Sequence, residues 1–255
     1  MARIRPVSHD DRLTLIEHLD ELRTRIIISV AAFVVGTALC AWQNHEIFDL
    51  LNRPLPEGRH PITLGVTEPF FTTLTVSAYA GLLLALPVIL YQVFAFVLPA
   101  FSPRERRVVL PLMLMVPLLF IGGVVFGYLV VLDRAVDFLL NFNDQQFNIQ
   151  VRAREYYTFV VLTLMAMGLV FEVPLVILAI TRLGIVTPAQ LRSTRRYSYL
   201  GIAVLAALLP TVDPVTMLIE MVPLILLFEL SIVLAALLGR PPGEPAPEPR
   251  AEGSR

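Results

Sequence analysis

Long runs of apolar residues alternate with short polar segments along almost the whole chain. A bilayer core about 30 Å thick is crossed by about 20 residues of helix, and six runs reach or approach that length. The pattern therefore predicts an all-α, polytopic membrane protein with six transmembrane helices, the last two of them short. The predicted spans are 25–42, 73–98, 108–132, 156–180, 197–209 and 215–238.

The chain is predicted to form one membrane domain, residues 1–239, followed by a disordered tail rich in proline and glutamate, residues 240–255. The first span follows a charged helix and has no small-residue cleavage site after it, so we interpret it as a retained span. The fifth span would cover only about 20 Å of the bilayer at 1.5 Å per residue. Either the bilayer thins at that edge or neighbouring subunits cover it.

Arginine supplies every positive side chain, because the sequence contains no lysine. The arginines cluster before the first span, between the second and third, between the fourth and fifth, and after the sixth. The positive-inside rule therefore predicts that both termini are cytoplasmic. Only five of the 20 basic residues fall on the other side: Arg53, Arg59, Arg134, Arg152 and Arg154.

Catalytic and metal-binding patterns are missing from the sequence. Without lysine there is no Walker A loop, and H-E-x-x-H, G-x-S-x-G and C-x-x-C do not occur. The single cysteine, Cys40, forms no internal disulfide, and the four histidines lie outside the spans on both sides. We expect no enzyme activity, no metal, no cofactor and no nucleic-acid ligand.

Acidic residues at the predicted cytoplasmic side have two interpretations. Before the first span, Glu17, Asp20 and Glu21 lie opposite an apolar helix face, as a solvated face does. A cationic partner is the alternative, since acids gain nothing from an anionic leaflet. Glu105 completes the capping box Ser102-Pro103-Arg104-Glu105, which structure alone could explain.

One acid lies inside a predicted span. Glu172 is about halfway along the otherwise apolar fourth span, and such a group faces the bundle interior or a wet cavity because exposure to lipid is costly. A protonated glutamate bonded to a neighbouring helix is the structural alternative. In the third span, Gly123 and Gly127 have the spacing of close helix packing. Asp213 is predicted to cap the sixth helix.

Seven short motifs together resemble the TatC family, the multispanning subunit of the twin-arginine protein translocase. They follow one another in the family's order and spacing from about Arg12 to Leu238. The motifs are H-L-D-E-L-R-T-R (18–25), T-E-P-F-F-T (67–72), P-V-I-L-Y-Q-V-F-A-F (87–96), E-R-R (105–107), F-E-V-P (171–174), T-P-A-Q-L-R (187–192) and V-D-P (212–214). Phe94 and Met217 depart from the residues common in the family, tryptophan and glutamine.

The resemblance implies a receptor for folded cargo proteins in the bacterial cytoplasmic membrane, driven by the proton gradient. It implies partners that are TatA- and TatB-like single-span proteins, a homo-oligomeric arrangement within a larger complex, and contact with membrane lipid. Matched positions imply roles for these residues: Glu105, Phe96, Glu21 and Arg23 in signal-peptide binding, Glu172 as the intramembrane polar site, and Pro54 and Asp213 in the outer loops. A partner helix is expected to dock at the short fifth span, through Tyr199, Leu205, Leu209 and the nearby Glu229.

Physical chemistry supports this assignment. A guanidinium pairs with a carboxylate through a bidentate bond that lysine reproduces poorly, so Glu105 and Glu21 could together recognise two adjacent arginines. Phe96 could add an aromatic surface. Two other functions stay open: a proton-coupled small-solute secondary transporter with Glu172 and Glu229 as relay acids, and a passive scaffold that does not distinguish Arg-Arg from Lys-Lys peptides.

Overall fold

The computed structural model describes residues 9–56, 58–98, 113–146, 149–182, 184–210 and 213–238, without the side chains of residues 9–17 and 238. The regular structure of these residues is helical, apart from one isolated bridge between Ile62 and Arg152. A π-helical segment, Gly127–Leu132, joins α4 to α5. The α-helices are α1 (His9–Trp42), α2 (Asn44–Asn52), α3 (Glu68–Val97), α4 (Met115–Phe126), α5 (Asp133–Asn141), α6 (Ala153–Val170), α7 (Val173–Arg182), α8 (Pro188–Ser193), α9 (Arg195–Leu208) and α10 (Pro214–Leu238). The predicted tail, residues 240–255, lies outside the described residues.

Five helical stretches of the described residues are long and apolar enough to cross a membrane. They are 18–42, 68–97, 115–141, 153–182 and 214–237. The predicted fifth span corresponds to α9, whose 14 residues measure about 21 Å at 1.5 Å per residue, so it is shorter than a full crossing. An all-α membrane protein is confirmed, whereas the count of six crossings and the cytoplasmic termini stay predictions. We call the end of the bundle that carries Glu21 the inner end and the end that carries Pro54 the outer end, after the predicted orientation.

The charged N-terminal helix continues into the first span without a break, because α1 runs from His9 to Trp42. Hydroxyl groups along it bond back to the preceding turn: Thr24 donates to the Asp20 carbonyl at 3.0 Å and Ser29 to the Arg25 carbonyl at 2.9 Å. Such bonds satisfy the polar side chains within the helix itself. The acids of this helix are therefore held in fixed register with the membrane span.

The third and fourth spans differ from their predicted outlines. The third continues as helix through Asn141, beyond its predicted end at residue 132, because Ala135, Val136 and Leu140 of α5 are buried against the core. The predicted fourth span, 156–180, lies within the single apolar stretch 153–182, which is interrupted where α6 ends at Val170 and α7 begins at Val173. Proline has no N–H and its ring clashes with the carbonyl four residues earlier, which for Pro174 is that of Val170.

Glycines allow the helices to approach closely at two contacts. A Cβ on Gly123 of α4 would lie 2.5 Å from the Met167 carbonyl oxygen of α6, so the close packing predicted for this motif is confirmed. Between α1 and α3, a Cβ on Gly81 would lie 2.4 Å from the backbone of Thr37. The fourth span lies most centrally among the five stretches. Of its apolar 18-residue segment, 61% is buried within the protein, whereas the corresponding share for the first span is 11%.

Tyrosines hold the short outer helix, α2, against the bundle. Tyr128 and Tyr156 donate hydrogen bonds to the carbonyls of Leu50 and Leu51, each at 2.7 Å. Tyr157 donates to the side chain of Asn52 at 2.9 Å. The helix α2 is thus fixed to the third and fourth spans.

Candidate functional site

The inner end brings the acidic part of α1 against the end of α3. Arg25 donates from Nε and Nη2 to Oε1 of Glu21, at 3.1 and 2.5 Å. Its Nη1 donates to the side-chain oxygen of Gln92 on α3 at 3.0 Å. Glu21 is therefore held by a guanidinium of its own helix, and that guanidinium also joins the two spans.

An aromatic stack lies beside this ion pair. The rings of His18 on α1 and Phe96 on α3 are 4.3 Å apart at their centroids and 13° from parallel. Nδ1 of His18 lies 3.6 Å from Oε2 of Glu21. Two of the predicted signal-peptide residues, Glu21 and Phe96, are thus brought together through His18.

A shallow cleft of about 400 Å³ opens at this place. Its lining includes the acids Asp20 and Glu21, the arginine Arg25 and the amide of Gln92. Arg23, also predicted for the site, is exposed and is not among the residues that line the cleft. The cleft combines carboxylates with the guanidinium of Arg25. A second guanidinium could form the same charge-assisted bonds to these carboxylates in place of Arg25.

Glu105, the other predicted acid, lies outside the described residues, as does the whole segment 99–112. The last residues described before it, Phe96 to Leu98, are at the end of α3 beside His18. Whether Glu105 faces Glu21 therefore stays a prediction.

Glu172 lies at the break between α6 and α7 and is 3% exposed. Neither carboxylate oxygen makes a hydrogen bond with a residue that the structure describes, although the backbone of Phe120 on α4 approaches the carboxyl group. Glu172 is therefore buried within the bundle, which is one of the two surroundings that the sequence left open. A buried carboxyl group without partners is costly to leave ionised, so this position disfavours charge unless a ligand or water reaches it.

Outer-loop residues take the places that the sequence predicted. Oδ1 of Asp213 accepts a hydrogen bond from the Thr216 amide at 2.7 Å, which caps α10. Pro54 follows α2 and lines a cleft of about 350 Å³ with residues at the start of α5. The sequence therefore located both loops, and α2 and α5 now provide the surroundings of Pro54.

The predicted docking residues at α9 differ in exposure. Leu205 is 37% exposed, whereas Leu209 is 8% exposed and packs in a core cluster with α6 and α10. Glu229 of α10 accepts hydrogen bonds from Tyr199 and Arg195, each at 2.6 Å. Tyr199 and Glu229 thus join α9 to α10, and Leu205 is the predicted docking residue that points outward.

Sequence reasoning missed three residues of the inner site and one outer ion pair. His18 and Arg25 are three and four positions from Glu21, a spacing that itself signals contact on a helix; Gln92 could be found only from the packing of α1 on α3. At the outer end, Nε of Arg152 lies 2.9 Å from Glu68. That carboxylate raises the pKa of Arg152 above its ordinary value. Within the described residues, no group of three or more His, Cys, Asp or Glu side chains could hold a metal ion.

Comparison with known proteins gives one consistent family. The family model described as Sec-independent protein translocase protein (TatC) matches residues 17–223. The TatC protein of Koribacter versatilis (strain Ellin345) is 37% identical over 234 residues, covering 89% of this chain and 86% of the relative. For TatC of Aquifex aeolicus (strain VF5) the identity is 37%, with 89% and 97% covered. For TatC of Escherichia coli (strain K12) it is 36%, with 89% of both chains covered.

Solved structures agree with this family in the fold. The chain is similar to a crystal structure of the twin-arginine translocase receptor TatC, with a TM-score of 0.73 and 36% identity. That likeness covers 88% of this chain and 100% of the crystallised one. A second crystal structure of the same receptor, in the detergent DDM, gives the same TM-score over 85% and 98% of the two chains.

Proposed function

The chain belongs to the TatC family of Sec-independent protein translocase proteins, and on that premise we propose that it is the subunit that binds the signal peptide of the cargo. Membership makes it a subunit of the twin-arginine translocase and a multi-pass protein of the bacterial inner membrane. The family is one of transport proteins, not of enzymes. The proposal concerns the receptor role, the energy source and the partners.

The observation that carries the proposal is the pairing of Glu21 with Arg25 at the inner end. Arg25 places two N–H groups on one carboxylate oxygen, so the site already binds a guanidinium that the chain itself supplies. A signal peptide with two adjacent arginines presents the same group twice. One peptide arginine would take the place of Arg25 on Glu21, and the second would pair with Glu105.

The stack of His18 on Phe96 supports the same assignment. It places an aromatic edge beside Glu21, where a guanidinium could lie over a ring and the apolar residues that follow the arginines could pack. Arg104, Arg106 and Arg107 flank Glu105 in the sequence. Their positive charge would repel cations that cannot form the bidentate bond, which favours arginine over lysine.

We propose that the proton gradient and the inserted signal peptide both act on the bundle through Glu172. Its carboxyl group is buried at a helix break without hydrogen bonds to the described residues, and a helix break supplies further backbone groups for a ligand. A signal-peptide hairpin that reaches this depth would meet a polar group inside the membrane. Protonation would remove the charge when no ligand is present.

TatA- and TatB-like single-span proteins are the partners that we propose, with several copies of this chain in the complex. The short helix α9 supports a docking edge there, because 14 residues leave part of the bilayer thickness uncovered. Leu205 and Leu208 point outward on this helix. A partner helix could cover them and complete the span.

The test is binding of peptides that carry Arg-Arg or Lys-Lys to the purified, full-length protein. We expect Glu21→Gln and Glu105→Gln each to lower the affinity for the Arg-Arg peptide by about tenfold, since a charge-assisted bond contributes about 1.5 kcal/mol or more. Glu46→Gln, which removes an exposed acid from α2, is the matched control and should bind normally. If an Arg-Arg peptide photocrosslinks to both site variants as strongly as to the wild-type protein, the receptor role is rejected.

The transporter alternative makes a separate prediction. A proton-coupled transporter would move a small solute in liposomes that contain only this protein, whereas the receptor proposal predicts no such flux. A passive scaffold would bind Arg-Arg and Lys-Lys peptides equally. The same two assays therefore distinguish all three functions.

A further inference from the structure

The outer end contains a polar cleft that the proposed function does not use. Its volume is about 560 Å³, and it lies between the beginning of α3 and the segment that leads into α6. Two arginines, a glutamate and three threonines contribute to its walls. Both helices begin a candidate membrane span here, and a span begins near the lipid headgroups.

Arg152, one of the two arginines of this cleft, is paired within the protein. Nε of Arg152 pairs with Glu68 at 2.9 Å, and its Nη1 pairs with Glu155 at 3.1 Å. Glu68 also accepts hydrogen bonds from the backbone amides of Leu64 and Gly65. These contacts fix Arg152 in place and neutralise it within the protein.

Arg154 supplies a second positive charge to the same cleft. Its side chain is exposed, and it makes no hydrogen bond or ion pair with any residue that the structure describes. With Glu155 counted, the two arginines and two glutamates at this place carry no net charge, but both glutamates pair with Arg152. Arg154 is therefore the guanidinium that an anion can use.

Two threonines of α3 line the same cleft. Thr72 is 4% exposed and its hydroxyl oxygen is itself buried, without a hydrogen-bond partner in the described part of the chain. Thr75 lies less than one turn further along the same helix, lines the cleft and is partly exposed. Thr75 is therefore the threonine whose hydroxyl a ligand in the cleft can reach.

An apolar surface continues from the cleft along the bundle. Phe71 lines the cleft and is exposed, and Leu74 follows it three residues later on α3, also exposed. Leu64 and Val66, just before the helix, are exposed too. A ligand with an anionic head and an apolar chain matches this order of polar and apolar surface.

We propose that this cleft binds the phosphodiester headgroup of an outer-leaflet phospholipid. The phosphate lies against Arg154 and the hydroxyl of Thr75, and an acyl chain runs along Phe71 and Leu74. A phosphodiester carries a single negative charge, which the single unpaired guanidinium of Arg154 matches. An acidic peptide would match the arginine but would leave the adjoining apolar surface uncovered.

The experiment measures binding of phosphatidylglycerol to the full-length protein, delipidated in detergent, by native mass spectrometry. We expect Arg154→Gln to weaken binding by about fivefold, since one basic residue near a lipid surface contributes about 1 kcal/mol. Arg134→Gln removes another exposed outer arginine, on α5 and away from this cleft. This control should bind like the parent protein, and the Thr75→Val variant should show a smaller loss than Arg154→Gln.

Three further ligands identify the source of the anion. Diacylglycerol, which lacks the phosphate, and glycerol phosphate, which lacks the acyl chains, should both bind more weakly than phosphatidylglycerol. Equal binding of either one, or equal losses in Arg154→Gln and Arg134→Gln, would overturn the proposal. An acidic peptide that binds the lipid-free protein through Arg154, while phosphatidylglycerol does not, would also overturn it and assign the cleft to a protein segment.

Discussion

His18 of α1 stacks on Phe96 of α3, with ring centroids 4.3 Å apart and planes within 13°. This contact joins the two helices at the inner end, next to the carboxylate of Glu21. Phe96 is one residue from the C-terminal end of α3. The stack therefore fixes the surroundings of Glu21, one of the two acids proposed to bind the signal peptide.

Loss of this stack should weaken peptide binding without unfolding the protein. We expect His18→Ala and Phe96→Leu each to reduce affinity for an Arg-Arg peptide severalfold, and His18→Phe to retain most of it because an aromatic pair is kept. A double-mutant cycle between positions 18 and 96 should give a coupling of about 0.5–1.5 kcal/mol. Additive effects of His18→Ala and Phe96→Leu would show that the rings act independently.

Arg25 should compete with the signal peptide for Glu21. Its removal in Arg25→Gln exposes a carboxylate that two N–H groups now occupy, so we expect the Arg-Arg peptide to bind about fivefold more tightly, equivalent to about 1 kcal/mol. Arg192→Gln removes an exposed inner arginine outside the cleft and controls for general loss of positive charge. If Arg25→Gln binds the Arg-Arg peptide as weakly as Glu21→Gln does, then Arg25 positions Glu21 and does not compete with the peptide.

The contact between α1 and α3 should depend on Gly81. A Cβ there would lie 2.4 Å from the backbone of Thr37, so Gly81→Ala must push the helices apart and is expected to lower the free energy of unfolding by about 1–3 kcal/mol. The control is Gly122→Ala, because a Cβ on Gly122 meets nothing within 4 Å. Thermal unfolding in detergent measures both, and equal stability of the two variants would contradict the close approach.

Glu172 should matter for export more than for stability. Glu172→Gln removes an ionisable group whose place inside a membrane span costs at least about 2.5 kcal/mol on insertion scales, so we expect the melting temperature to stay the same or rise. Export of a folded cargo should nevertheless fall severalfold in Glu172→Gln and Glu172→Ala, while peptide binding at the inner end persists. Normal export in both variants would remove Glu172 from the mechanism.

Partner docking at α9 should follow side-chain exposure. In a Cys40→Ala background, Leu205→Cys and Leu208→Cys should crosslink to a single-span partner, because both side chains point outward. Leu209→Cys should not, since Leu209 packs in the core with α6 and α10. Crosslinks from Leu209 alone would indicate that α9 rotates in the assembled complex.

Hydropathy and local signals determined much of this protein without any tertiary information. The apolar runs located the long spans, because the bilayer sets their length. Asp213 was recognised as a helix cap and Gly123 as a packing glycine from spacing alone, since capping and close approach depend on residues a few positions apart. The family resemblance came from motifs that are likewise local.

Only the tertiary structure decided which residues share the inner site. Gln92 and Phe96 meet Arg25 and His18 because glycines bring α1 and α3 together, a contact between residues about 70 positions apart in the chain. The break at Glu172 and the burial of Leu209 likewise depend on how α6, α7 and α10 pack. Periodicity indicates which residues are apolar but not which helix covers them, so partners, exposure and the outer cleft required the folded chain.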